Sequence, residues 1–286
     1  MLLASTCSLL VALPFVNAAD DQSATLPPRT IGDEWKFVVD YKGDIGMICN
    51  MTTTVTGTTV LPQLGGYECF EFTSVADGTV YGENVSGNWS MTIKEYYDKS
   101  DFSLAKMTIT KDTTIVRSNG SSTTNQYTEV NNNPPFEINS GFPLTLGKTW
   151  SATSNTTQTN TLTADGQTSQ DNSTYAQTTN YVVASVEDIQ TQAGTFKTYL
   201  IRGTAVDGSI QDMYYAPDAH IQVKELDYDS TGNLIATMEL LEYHVAEPAD
   251  ALPLLWIAVA IVSVAVAVSA ISVVTLKRRN SKTALK

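Results

Sequence analysis

Between Asp20 and Ala246 no window holds a sustained helical period of apolar residues, whereas short alternating runs separated by turn signals occur throughout. Alternation with a period of two sends successive side chains to opposite faces, the pattern of half-buried strands. Trp35-Lys-Phe37-Val-Val39-Asp-Tyr41, Tyr67-Glu-Cys69-Phe-Glu-Phe72, Met107-Thr-Ile109, Tyr181-Val-Val183, Tyr199-Leu-Ile201 and Leu234-Ile-Ala-Thr-Met238-Glu-Leu240 carry it best. Thr, Val and Tyr are the commonest fillers, as residues that suit a pleated surface. The body of the chain is expected to be all-β.

The same body contains an internal repeat. Pro28-Arg-Thr30-Ile31-Gly32-Asp-Glu-Trp35 recurs as Pro143-Leu-Thr145-Leu146-Gly147-Lys-Thr-Trp150. Gly66-Tyr-Glu-Cys-Phe70 with Asp77-Gly78-Thr79-Val80 matches Gly194-Thr-Phe196-Lys-Thr-Tyr199 with Asp207-Gly208-Ser209-Ile210. Tyr96-Tyr97 with Lys106 matches Tyr214-Tyr215 with Lys224 at a constant offset of 118. The pattern predicts two tandem antiparallel curved-sheet repeats, half-barrel or sandwich-like, over residues 19–130 and 143–246. Each Trp anchors the core of its unit, and each Asp-Gly pair is expected to be a hairpin turn. The first copy has about ten extra residues, 81–91, expected to form a projecting hairpin or loop. Residues 131–142, opening on Asn131-Asn-Asn-Pro134-Pro135, have no periodicity and are expected to be a linker.

Two apolar segments bracket this body. Residues 1–18 end in Val16-Asn17-Ala18 and fit a signal peptide cleaved after Ala18, although no Lys or Arg precedes the apolar run. Residues 252–276 are 25 positions without a charge. As a helix they would reach roughly 37 Å, enough to cross a bilayer with some tilt. Lys277-Arg278-Arg279 follows at once, so the positive-inside rule places the tail 277–286 in the cytoplasm and the body outside. Residues 247–251 form a short juxtamembrane tether. The expected location is the cell membrane, single-pass, N-out and C-in.

Five of the 17 Lys and Arg residues lie in the last ten positions, and all 30 acidic residues lie between Asp20 and Asp250. The body thus carries 12 positive against 30 negative charges, a net of −18. A surface so acidic repels nucleic acid and anionic lipid, which argues against both as partners of the body.

The mature chain keeps Cys49 and Cys69. Two thiols exported to an oxidising compartment are expected to form a disulfide, closing a loop of about 20 residues worth roughly 3 kcal/mol; two buried free thiols are the alternative. Asn50, Asn84, Asn88, Asn119, Asn155 and Asn172 each head an Asn-x-Ser/Thr sequence and are candidate glycosylation sites. The polar stretch 151–180 is expected either to carry O-linked sugar or to form exposed strands, and the repeat favours strands. His220 and His244 are the two histidines, and they read as surface residues. With no His-Glu-x-x-His, Cys-x-x-Cys or Gly-x-Ser-x-Gly, no catalytic site, metal site or cofactor is expected. Asp227-Tyr-Asp229-Ser-Thr-Gly232 looks like part of a calcium loop but lacks the distal Glu, and a hairpin turn explains it.

The order Gly-x-x-Trp, Ala193-Gly194-Thr195-Phe196-x-x-Tyr199, Tyr214-Tyr215-Ala216-Pro217 and Val223-Lys224 resembles that of uncharacterised secreted β domains similar to lipoprotein-carrier half-barrels. The likeness is better over 143–244 than over 28–110, where Tyr-Tyr-Ala-Pro has become Tyr-Tyr-Asp98-Lys99. It implies a curved antiparallel sheet able to cradle an apolar ligand. The layout of the whole chain also resembles archaeal surface proteins. Two functions are expected from these readings. The first is a membrane-anchored, non-enzymatic surface protein with a structural role or one in binding an envelope protein or glycan. The second is a carrier of lipid or another apolar ligand in a concave sheet. An enzyme would require Asp, Glu or His side chains converging in one pocket.

Overall fold

A computed structural model of the chain describes residues 23–43, 45–118 and 120–246. Among them lie twelve strands: β1 (Glu34–Tyr41), β2 (Ile45–Leu61), β3 (Tyr67–Gly82), β4 (Val85–Asp98), β5 (Leu104–Arg117), β6 (Gly120–Phe136), β7 (Thr149–Ala164), β8 (Gln167–Thr191), β9 (Gly194–Ala205), β10 (Ile210–Ala216), β11 (Ile221–Tyr228) and β12 (Leu234–His244). Each pairs antiparallel with the next, and β1 pairs with β12, so the sheet closes into one up-and-down barrel. The seam aligns Trp35 with Tyr243, Val39 with Met238 and Tyr41 with Ala236, with one bulge between Lys36 and Phe37. Alternation then does what the sequence implies: Trp35, Phe37 and Val39 are buried inside, while Lys36 faces out and pairs with Glu242.

The two ends of the barrel differ. At one end three of the connections contain short 3-10 turns, Pro62–Leu64, Ile138–Gly141 and Pro217–Ala219, and residues 23–33 run in against this end. Ala24 exchanges two backbone hydrogen bonds with Leu144, and the Trp35 indole Nε1 donates to Ala219 O at 2.8 Å. The buried Asp33 carboxylate accepts from the N–H of Thr30 at 2.9 Å and of Ala246 at 2.8 Å, tying the chain before β1 to the chain after β12. This is the plugged end. At the opposite end hairpins join the strands, and those of β3–β4, β5–β6 and β7–β8 are the longest. Residues 167–176 of β8 are exposed at every position. Thr hydroxyls pair across this region, Thr163 with Thr168 at 3.0 Å and Thr153 with Thr178 at 3.1 Å. The polar stretch is strand, as expected.

The repeat has a structural counterpart in β1–β6 and β7–β12. Gly32 N donates to Val55 O and Gly147 N to Val183 O, both at 2.9 Å. The return bonds, Val55 N to Asp33 O and Val183 N to Lys148 O, are also 2.9 Å. Bulges fall between Tyr96 and Tyr97 and between Tyr214 and Tyr215. Phe102 and His220, 118 positions apart, both hold a left-handed backbone, at φ 62° and 61°. The halves do not form separate units, however. Edges left open by two half-barrels would expose rows of unpaired N–H and C=O groups, and β6–β7 and β12–β1 pairing removes them.

Four expectations are corrected. Residues 131–136 are not a linker but the end of β6, which continues to Phe136 through a cis Asn133-Pro134 bond. Asp77-Gly78 is not a turn but mid-strand, opposite Ser90 and Trp89; the reversal comes later, at Glu83-Asn84. Gly is required at 78 for a different reason, since a Cβ there would lie 2.2 Å from Ile48 O. Asp207-Gly208 is the turn expected of it, with Gly208 at φ 89°. His220 is not a surface residue but half-buried at the plugged end, whereas His244 is exposed. Finally, Cys49 and Cys69 are free. Cys49 faces Gly78 across β2–β3 and Cys69 faces Thr59, so nine ladder steps separate them, about 30 Å at the rise of a strand. A disulfide needs Cα atoms within about 7 Å.

The expected signal peptide, juxtamembrane tether, transmembrane helix and cytoplasmic tail (residues 1–18, 247–251, 252–276 and 277–286) lie outside the described residues. Among the described residues no helix is long and apolar enough to cross a membrane. Burial pushes both thiols up to about 11, so neither is reactive in the folded barrel. Iodoacetamide in denaturant without reductant is predicted to label both cysteines fully, and native protein hardly at all, read by peptide mass; unlabelled cysteines in denaturant would contradict the register.

Candidate functional site

Inward-facing side chains do not fill the barrel. On the β1–β5 side the hairpin end is packed by Cys49, Ala76, Val80 and Trp89. Beside it runs a cavity of about 700 Å³, bounded by Arg29 and Phe142 toward the plugged end and by Ser209 and Tyr228 toward the hairpins. Its wall is mostly aromatic and aliphatic: Phe37, Met51, Phe72 and Ile93 from β1–β4, Phe136, Tyr181, Ile201 and Met213 from β6–β10, Ile221 and Met238 from β11–β12. Volume and lining are those of a small-molecule pocket, apolar with a few placed polar groups.

The polar groups form two sets. Glu95, Glu225 and Asp227 occupy inward positions of β4 and β11. Burial raises the Glu95 carboxyl against the Tyr97 hydroxyl, which donates to it at 3.1 Å. Burial, then repulsion from Asp227, pushes Glu225 up to about 7, although Gln211 donates to it at 2.9 Å. Asp227 is raised by burial. In all three the low-dielectric surroundings disfavour the charged form relative to a surface carboxylate.

The second set lies at the plugged end. The Arg29 guanidinium stands over three rings, 5.2 Å from Trp35, 5.3 Å from Phe102 and 5.7 Å from Phe72. Its Nε and Nη1 are buried without a hydrogen-bond partner among the described residues, and so are Tyr215 Oη and His220 Nδ1. Burial lowers the pKa of Arg29, opposed by Tyr215, Asp33 and Tyr97. Burial and then Arg29 itself lower that of His220.

Of the residues singled out from sequence, Asn50, Asn84, Asn88, Asn155 and Asn172 are all exposed and away from the cavity, where a glycan could be accommodated; Asn119 lies outside the described residues. Asp229 closes a hairpin turn, accepting from Thr231 and Asn233, which holds its carboxyl well below the usual range. No cluster of three or more His, Cys, Asp or Glu able to hold a metal occurs among the described residues. The lumen's polar residues escaped the sequence reading. For the carboxyls a signal existed: Glu95 shares the phase of Trp89, Met91 and Ile93, and Glu225 that of Ile221 and Val223, so each puts a charge on an apolar face. Arg29 sits in an irregular segment and has no such phase.

No protein-family model matches the chain, and no curated protein does. Among solved structures the chain is similar to a crystal structure of a "putative lipoprotein" from Parabacteroides distasonis ATCC 8503, at 15% identity and a TM-score of 0.29, over 78% of this chain and 100% of that one.

Because Glu225 is raised in the folded state, folding takes up a proton between its ordinary range, near 4.5, and about 7. Stability from this group is therefore full below about pH 4.5 and is lost as pH rises through 7. His220 works in the opposite direction, so the difference between proteins isolates Glu225. Glu225→Gln is predicted to stabilise the barrel at pH 8 by roughly 2 kcal/mol, with the gain fading toward pH 4.5. Urea unfolding at both pH values checks this, and a gain independent of pH would contradict it.

Proposed function

We propose that this chain is a membrane-tethered extracellular barrel, not an enzyme, that binds an apolar small molecule in its lumen. The observation that carries this reading is the cavity of about 700 Å³ walled by aromatic and aliphatic side chains inside a closed sheet. Burying apolar ligand surface there is favourable at about 25 cal/mol per Å² before the costs of association. Because every wall strand is hydrogen-bonded on both sides along the lumen, little ordering is needed on binding. Tethering rests on the uncharged stretch 252–276 and its basic stop. Against the non-enzymatic part of this reading, Glu95, Glu225 and Asp227 share one pocket, the arrangement an enzyme would require.

A second role, contact with a neighbouring envelope protein or glycan, is favoured by the exposed hydroxyl-rich sheet of β7 and β8. Residues 167–178 of β8 pair with β7 alone, which leaves their other edge unpaired among the described residues.

The lumen reading is tested with the full chain in phosphatidylcholine nanodiscs, titrated with the neutral fluorophore N-phenyl-1-naphthylamine. Saturable fluorescence above that of empty discs is expected. Ala205→Trp, which fills the cavity from its wall, is expected to weaken binding at least tenfold. No saturable signal, or an unchanged affinity in Ala205→Trp, would contradict the reading.

A further inference from the structure

The plugged end of the lumen holds a cation that the described protein does not neutralise by contact. Taking a guanidinium out of water costs several kcal/mol unless its N–H groups and its charge are met, and buried polar atoms in native structures are nearly always hydrogen-bonded. Arg29 Nε and Nη1 are not met by any described residue. Asp33, the carboxylate whose charge acts on Arg29, already spends both oxygens on the N–H groups of Thr30 and Ala246. It opposes the cost of burial from a distance without bonding to the guanidinium. Three aromatic rings lie within 5.7 Å of the guanidinium carbon, a setting of cation–π contact. Rings offer no hydrogen-bond acceptor as strong as oxygen, so the Nε and Nη1 hydrogens stay unmet, and the fork of a guanidinium matches the two oxygens of an oxyanion.

A second unmet donor lines the same cavity. Tyr215 shares the lumen wall with Arg29, and its Oη has no partner among the described residues. From this corner the wall runs apolar toward the hairpins. A cavity of this size encloses one drug-sized molecule, which favours one chain over a two-chain lipid. Arg29 is the one Lys or Arg among the residues that line the cavity, so a single oxyanion is what the lumen can match.

We propose that Arg29 and Tyr215 form a head-group subsite of the lumen, taking the oxyanion, carboxylate or phosphate ester, of a single-chain amphiphile whose tail lies along the apolar wall. This rests on the lumen-binding reading above and adds the chemical class of the ligand. The oxyanion would complete the hydrogen bonds of Arg29 Nε and Nη1 and accept from Tyr215 Oη.

The test uses the full chain in phosphatidylcholine nanodiscs with two probes, 11-(dansylamino)undecanoic acid and its uncharged methyl ester, each read above empty discs. The acid is expected to bind at least tenfold tighter than the ester. Arg29→Gln is expected to erase that preference, and Tyr215→Phe to weaken the acid about threefold. Competition by dodecanoate or by dodecyl phosphate then reports which oxyanion the subsite takes, and displacement by either supports it. Equal affinity of the unaltered protein for acid and ester would overturn the proposal without any variant, should Arg29→Gln fail to fold. A preference surviving in Arg29→Gln, or no displacement by either competitor, would overturn it too. If N-phenyl-1-naphthylamine binds and the dansyl acid does not, the head-group assignment fails and the lumen reading stands. If none of the three probes binds, the lumen reading itself fails.

Discussion

Everything distinctive in this molecule depends on the pairing of β1 with β12. An open sheet of eleven ladders would leave two long edges with unpaired backbone groups, a template for pairing with another chain. Closing the seam removes both and, because side chains alternate, makes an inside and an outside for every strand at once. The closure is secured beyond the ladder. Asp33 bridges to Ala246, Lys36 pairs with Glu242, and the Trp35 indole reaches across to Ala219. A register slip of one residue at the seam would turn Trp35, Phe37 and Val39 outward, so burial of these side chains fixes the alignment.

Closure also explains why the interior can be partly empty and partly polar. A barrel of twelve strands has a circumference that its side chains do not have to fill, since the backbone of each neighbour holds every strand in place. Packing on one side of the hairpin end suffices to set the shape, and the rest of the interior remains a cavity with an aromatic corner around Arg29. The β7–β8 hairpin carries the wall beyond the lumen as a largely polar sheet, exposed at every position of 167–176, which needs no core of its own.

Much of this was legible in the sequence, and the failures have physical causes. Alternation identified the strands but not their lengths: β3 runs through Asp77-Gly78 because Gly there relieves a close approach to the Ile48 carbonyl, while the same dipeptide at Asp207-Gly208 turns the chain. Composition cannot separate these two uses of Gly. The repeated Gly-x-x-Trp was correctly read as the start of a strand in each half, but nothing local encodes that the halves join edge to edge, which is a pairing between residues some 200 positions apart. Asn131–Asn133 and the prolines after them looked like a linker because they lack periodicity; buried Asn132 instead donates to Leu104 O and accepts from Thr156. The pairing of Cys49 with Cys69 failed because sequence proximity across a hairpin says nothing of height on the ladder. Glu95 and Glu225 were visible as charges in an apolar phase, whereas Arg29 acquires its meaning only from strands far along the chain that bring Tyr215 and Phe102 to it.

The central claim is that the sheet is a closed ring, and amide hydrogen exchange along β1 tests it most directly. In a strand the N–H groups point alternately to the two neighbours, so in a closed barrel the β1 amides facing β12 should be protected as well as those facing β2. If alternate amides of β1 exchanged at the rate of an unstructured peptide while the others stayed protected, the seam would be open and the lumen would not exist.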